Sequence, residues 1–184
     1  MTYKFPAAFV FIIAASIGAS GCASVAPLDA RDQFMASLKS MCGQRFEGAS
    51  TFPTDPAHDF AGKRLVASVA SCKDGEVRVP FVVGEDRSRT WVFTRTAAGL
   101  QLQHDHRHAD GTPDAQTMYG GMATGSGTAL RQTFAADAYT AKLIPAAVTN
   151  AWTVSMSADG SALTYHLERD AKPRYTAVLR RVAP

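Results

Sequence analysis

The sequence predicts a mainly β protein, an antiparallel up-and-down barrel preceded by one N-terminal helix. Apolar and polar residues alternate over short segments from position 44 to the end of the chain. Turn sequences such as Asp74-Gly75 and Asp159-Gly160 separate these segments and are typical of hairpins. Helical spacing of apolar residues is convincing over one stretch, residues 29–41. Together these patterns favour a meander of neighbouring strands.

The helix is predicted over residues 29–41. Asp29 occupies the N-cap position, and Phe34, Leu38 and Met41 recur on one face. Gly43 follows as a C-terminal cap, since glycine tolerates the left-handed conformation that ends many helices. We expect the apolar face to dock against the sheet.

The strands are predicted from their period of two, and we expect about eight to ten of them. Residues 118–127 are glycine-rich and connect the two halves of the sheet, and residues 134–140 are predicted to form one helical turn. Asp137 would either cap this turn or pair with Arg131. A meander of short strands favours a closed barrel of the lipocalin or calycin kind, because closure removes exposed edges. A two-sheet β-sandwich is the alternative. The predicted strands cover residues 44–50, 63–72, 76–83, 89–96, 100–108, 151–157, 162–168 and 174–182.

Residues 1–21 are predicted to be a lipoprotein signal peptide. Lys4 precedes an apolar run, and a stretch of small residues ends at Cys22. This stretch resembles a bacterial lipobox, in which the cysteine is lipidated and becomes the first residue. An ordinary signal peptide, cut near Ala23 or Ala26, is the alternative. The apolar run is too short for a stable transmembrane span.

The lipobox resemblance implies an anchor on Cys22, a lipidated tether over residues 22–28 and a single domain over residues 29–184. Ala23 stands where an aspartate would favour the inner membrane, so the resemblance implies the outer membrane of a Gram-negative cell, with the domain facing the periplasm. The membrane is therefore an expected partner. The formal net charge is +3 without any basic block, which argues against nucleic-acid binding. No particular protein partner is predicted.

Cysteine usage fits an oxidising compartment. The chain has three cysteines, and a lipidated Cys22 would leave Cys42 and Cys72 as a pair. A disulfide between them is the favoured interpretation. Two reduced core thiols or a catalytic cysteine are the alternatives.

Several short motifs resemble a family of uncharacterised bacterial secreted proteins and lipoproteins. They are Leu38-x3-Cys42-Gly43, a tryptophan strand, the His-Asp-His-Arg segment that begins at His104, Tyr119-Gly-Gly, and the run marked by Phe134, Asp137 and Thr140. The resemblance implies an envelope location and a calycin-like domain. It implies no established activity and assigns no catalytic residue.

The histidine segment is the strongest candidate for a site. His104, His106 and His108 would share one face of a strand, since alternate residues do so. Two histidines at this spacing are near enough to bind one metal ion with a third ligand from elsewhere, so zinc or copper is a hypothesis. The favoured alternative places His104 and His106 in the barrel lumen, with their ring nitrogens bonded to Tyr119 or to backbone carbonyls. Asp105 and Arg107 would form an ion pair on the opposite face.

A ligand site is predicted where this segment meets the aromatic residues that point inward. Such a mixture of apolar wall and few polar groups is typical of pockets for small molecules. The expected function is therefore a lipid-anchored module that binds a small apolar molecule or has a structural role. The alternative is a periplasmic metal-binding protein or a metal-assisted enzyme that uses His104 and His106. No catalytic residue is predicted, and the predicted ligand contacts are His104, His106, Arg107, Tyr119, Trp91 and Trp152.

Overall fold

The computed structural model describes residues 1–2, 28–125 and 127–183. Helix α1 spans Ala30–Ser40, α2 spans Ala138–Leu143, and a short 3₁₀ helix spans Pro145–Ala147. The predicted lipidation site, Cys22, lies outside the described residues. Within the described part of the chain, no helix is long and apolar enough to cross a membrane. The strands are β1 (Arg45–Phe52), β2 (Leu65–Ser68), β3 (Ser71–Lys73), β4 (Glu76–Val83), β5 (Asp86–Thr96), β6 (Gly99–His106), β7 (Tyr119–Met122), β8 (Arg131–Ala135), β9 (Ala151–Met156), β10 (Ala162–Arg169) and β11 (Lys172–Val182).

The strands form one antiparallel sheet that is nearly closed into a barrel, which confirms the predicted fold class. Their order is β7-β6-β5-β4-β2-β1-β11-β10-β9-β8, with β3 paired to β4. Most neighbours in the sheet are consecutive in sequence, as in an up-and-down meander. The first and last strands pair over their lengths, from Arg45 opposite Val182 to Phe52 opposite Thr176.

The barrel closes through a second, weaker junction between β7 and β8. One isolated bridge joins Ala123 to Phe134, and the amide of Asp137 donates to the carbonyl of Gly120 at 2.9 Å. The backbones approach so closely that a Cβ on Gly121 would overlap the carbonyl oxygen of Ala135. The Tyr119-Gly120-Gly121 motif therefore serves the closure of the barrel, because only glycine leaves room for the facing backbone.

Helix α1 closes one end of the barrel. Its apolar face is buried as predicted, with Phe34, Leu38 and Met41 at most 3 % exposed. The ring of Phe34 packs 6.0 Å from that of Phe93 on β5. Asp29 caps the helix by accepting a hydrogen bond from the amide of Arg31.

The disulfide between Cys42 and Cys72 is confirmed. It joins the segment after α1 to β3, and the two Cα atoms are 6.2 Å apart. The sequence separation of 30 residues makes this a long covalent loop. In the chain-entropy model such a loop stabilises the fold by about 3–4 kcal/mol.

Three local predictions differ from the structure. Residues 63–72 form two strands, because β2 lies between β1 and β4 whereas β3 pairs with β4. Residues 119–122 form strand β7 inside the predicted glycine-rich connection. Phe134 lies in β8, where it is fully buried, so the helical turn begins later, at Ala138. Asp137 caps that helix by accepting from the amide of Thr140 at 2.8 Å, as predicted.

Candidate functional site

A cavity of about 290 Å³ lies in the end of the barrel away from α1. The turn between β5 and β6 is held to α1 by an ion pair between Arg95 and Asp32, so it marks the closed end. Trp91 and His104, which are paired across β5 and β6, lie several residues from that turn and line the cavity. The aromatic residues of the wall are Phe60, Phe81, Trp91, Tyr119, Trp152, Tyr165 and Tyr175.

Stacked rings form one side of the cavity. The ring of Trp91 lies 4.7 Å from that of Tyr165 at an interplanar angle of 5°, and 4.6 Å from that of Phe81 at 22°. Trp91 is 3 % exposed and Tyr165 is 8 % exposed. Stacking of aromatic rings adds to the stability of a buried apolar wall. The cavity therefore has a flat, aromatic wall on this side.

His104 forms the polar floor of the cavity. Its Nδ1 lies 3.1 Å from the carbonyl oxygen of Tyr119, and its Nε2 lies 2.8 Å from the hydroxyl of Tyr165. Since a carbonyl only accepts, Nδ1 must carry the hydrogen, and Nε2 then accepts from Tyr165. Burial lowers the pKa of His104 to about 3. At neutral pH the ring is uncharged, and both nitrogens have partners.

His106 is half-buried and lies nearer the cavity mouth. Its Nε2 is 3.1 Å from the hydroxyl of Tyr119. Burial, with the nearby charge of Arg89, lowers the pKa of His106. Burial also raises the pKa of Tyr119 to about 12, so the phenol stays protonated. The pair is therefore neutral at physiological pH. Tyr119 contacts both histidine rings, as predicted, through its carbonyl to His104 and its hydroxyl to His106. The bond from Tyr165 to His104 was not predicted.

Two arginines line the mouth. Arg89 pairs with Asp86, and its guanidinium lies 5.2 Å from the centre of the Phe60 ring, a cation–π contact. Arg169 donates from Nε to Oδ1 of Asn150 at 2.8 Å. The mouth is therefore more basic than the aromatic interior.

The structure separates Arg107 and His108 from this cavity. Strand β6 ends at His106, so the predicted alternation does not extend to His108, which lies exposed in the following loop. Both Arg107 and His108 line a different surface depression, beside Glu85. Arg107 pairs with Asp105 at 2.8 Å, the ion pair predicted for the outer face. Of the predicted ligand contacts, the cavity brings together His104, His106, Tyr119, Trp91 and Trp152.

The metal hypothesis gains no support from this geometry. Within residues 28–125 and 127–183, no three histidine, cysteine, aspartate or glutamate side chains are grouped as metal ligands. The lone pair on Nε2 of His104 already accepts a hydrogen bond from Tyr165. The Nδ1 of His108 lies 3.9 Å from Asp114, on the exposed loop.

Several residues that line the cavity were not predicted to belong to a site. Arg169 continues the alternation of Tyr165 and Leu167 along β10, and this period of two was the available signal. Ala147 and Asn150 reach the cavity from the segment after α2. That segment has no strand pattern, so no local signal placed it there.

Searches for similar proteins found no matching family model, curated protein or solved structure.

Proposed function

We propose that this protein is a lipid-anchored envelope protein whose barrel binds a small, largely apolar molecule. The supporting observation is the cavity of about 290 Å³ with stacked aromatic walls and a few polar groups. Ligand sites in proteins generally combine such walls with a few placed polar groups, and this volume lies at the lower end of their range. A ligand smaller than most drug-sized molecules suits it.

The chemistry of the floor favours binding over catalysis. His104 is neutral, and both of its nitrogens are engaged by Tyr119 and Tyr165. Burial holds the pKa of Tyr165 well above its ordinary value. These groups offer shape and fixed hydrogen-bonding partners, and none is poised as a nucleophile.

The test uses uncharged probes, octan-1-ol and 3-phenylpropan-1-ol, with the intact chain. Their binding is followed by the fluorescence of Trp91 and Trp152, which both line the cavity. Ala147 also lines the cavity and is 2 % exposed, so Ala147→Leu would fill part of the space. Ala146 is the exposed neighbour in the same short helix, so Ala146→Leu is the matched control.

We expect the control to bind like the original chain and Ala147→Leu to bind at least about tenfold more weakly, because the added carbons take ligand volume. Urea unfolding of both variants would show that each is folded. Equal binding by the two leucine variants, or no binding of either alcohol, would contradict the proposed function.

The anchor is tested separately. A Gram-negative host that expresses the full chain is fed an alkyne analogue of palmitate, and the label on the protein is measured together with its membrane fraction. Lipidation at Cys22 predicts a labelled, membrane-bound protein, and Cys22→Ser should lose both properties. A Ser24→Ala variant should keep them. A labelled Cys22→Ser variant would contradict this assignment.

A further inference from the structure

Arg169 occupies a distinctive position at the cavity mouth. It lines both the cavity and an adjoining surface depression that contains Arg174. Its Nε donates to Oδ1 of Asn150, which is 5 % exposed. A buried amide therefore holds one edge of the guanidinium in place. The two Nη groups remain as donors, in the end-on geometry that can bind a carboxylate through both nitrogens.

Arg169 lacks the carboxylate partner that comparable arginines have. Within the described part of the chain, five arginines are half-buried, and the other four each pair with an aspartate or glutamate. Arg169 forms no such ion pair among the described residues. The described arginines that also lack one, such as Arg131 and Arg174, are exposed to solvent. A partly desolvated cation without a counter-ion favours an anionic partner.

The neighbouring acidic groups do not neutralise this charge directly. Glu168 lies 3.7 Å from His166, and Asp170 accepts from the hydroxyl of Thr149. Asp59 lines the cavity from an exposed loop without forming an ion pair with Arg169. The carboxylate of Asp86 is already paired with Arg89.

We propose that the ligand of this cavity carries one carboxylate on an apolar body, and that Arg169 binds the carboxylate while the aromatic walls hold the body. This inference rests on the proposed function and names its ligand class. Arg169 selects between charged and uncharged ligands of the same shape. Asn150 is a positioning residue, since it orients the guanidinium.

The experiment compares each alcohol above with the acid of the same body, namely octanoate with octan-1-ol and 3-phenylpropanoate with 3-phenylpropan-1-ol. The intact chain is used at pH 7, below the concentrations at which these molecules aggregate. We expect at least one acid to bind about tenfold more tightly than its alcohol, as for a charge-assisted hydrogen-bonded pair. Arg169→Gln should reduce the ratio of acid affinity to alcohol affinity to within about twofold of one.

Two further variants test whether the effect on acid binding depends on charges at the cavity. Arg131→Gln removes an exposed arginine of β8 that lies away from the cavity, and it should bind all four probes normally. Asp59→Asn removes a repulsive charge from the loop, so it should tighten the acids by about twofold relative to the alcohols.

The outcomes distinguish the two proposals. If acids and alcohols bind with equal affinity, and Ala147→Leu weakens the binding of both, the carboxylate inference is overturned. The proposal that the cavity binds an apolar molecule is then retained. An acid preference that survives Arg169→Gln would overturn the role of Arg169. Failure of all four probes to bind would overturn both proposals.

Discussion

The hydroxyl of Tyr165 donates a hydrogen bond to Nε2 of His104 across the interior of the barrel, at 2.8 Å. These residues lie on β10 and β6, which are not neighbours in the sheet. The bond therefore joins opposite walls, whereas the backbone ladders join only adjacent strands. Because both side chains are at most 8 % exposed, water does not easily replace either partner.

Replacing Tyr165 with phenylalanine should destabilise the barrel. The variant keeps the ring that stacks on Trp91 but leaves Nε2 of His104 without its donor. A buried acceptor without a partner costs about 1–3 kcal/mol, which is the expected loss in the free energy of unfolding. Urea unfolding measures it. Tyr139→Phe, at a residue that is 49 % exposed, should lose under about 1 kcal/mol, and equal losses would contradict the argument.

His104 should make the protein less stable as the pH falls below 6.5. Burial lowers its folded pKa to about 3 from an ordinary value of 6.5, so the unfolded chain binds the proton first. The stabilisation is complete above pH 6.5 and decreases as the pH falls toward 3. The expected slope is about 1.4 kcal/mol per pH unit, and His106, whose pKa is also lowered, adds to it.

Urea unfolding between pH 7 and 4.5 measures this slope. The range is chosen because carboxylates of lowered pKa, such as Asp86, titrate at lower pH. His104→Gln should flatten the curve, because it removes the titrating group. His108→Gln changes an exposed histidine and is the matched control. A slope that is the same in His104→Gln as in the original chain would refute the assignment.

Replacing Thr140 with valine should weaken the junction between β7 and β8. The Thr140 hydroxyl accepts from the amide of Gly120 at 2.7 Å and donates to the Gly120 carbonyl at 2.8 Å, so it ties α2 to β7. Valine keeps the shape and loses both bonds, at a cost of about 2 kcal/mol. Amide hydrogen exchange should accelerate at Gly120 and Asp137. Thr164→Val, which removes no side-chain hydrogen bond to a described residue, should leave exchange unchanged.

Removing the disulfide should lower the free energy of unfolding by about 3–4 kcal/mol, since the unfolded chain regains the entropy of an open loop. The double variant Cys42→Ser and Cys72→Ser, measured in urea, tests this. Cys22→Ser, which replaces the cysteine outside the disulfide, is the matched control. It should have the same free energy of unfolding as the original chain when both are oxidised and when both are reduced. A double variant as stable as the oxidised protein would show that the loop contributes little.

The architecture could be predicted because local patterns determine it. Phe34 and Leu38 repeat with the helical period, and the strand residues alternate, so each element indicates its buried face. The short turns then restrict most strands to pairing with their sequence neighbours. Strand β7 was not predicted because Gly120 and Gly121 have low strand propensity. The tertiary contacts that close the barrel override this local preference.

The site was predictable only in part, for a physical reason. Inward-facing Trp91, His104 and Trp152 follow from alternation within single strands. The partner of His104, Tyr165, lies 61 residues away, and no local pattern specifies that two inward residues will meet. The predicted role of His108 required β6 to continue, but the strand ends at His106.

The closed end of the barrel has a consequence for orientation in the cell. Helix α1 begins at Ala30, two residues after Leu28, on the side of the barrel opposite the cavity. If Cys22 carries a lipid, the residues from 22 to 28 reach at most about 25 Å. The closed end of the barrel would then face the bilayer, and the cavity mouth would face the aqueous compartment. A ligand would arrive from the surrounding solution, without first dissolving in the membrane.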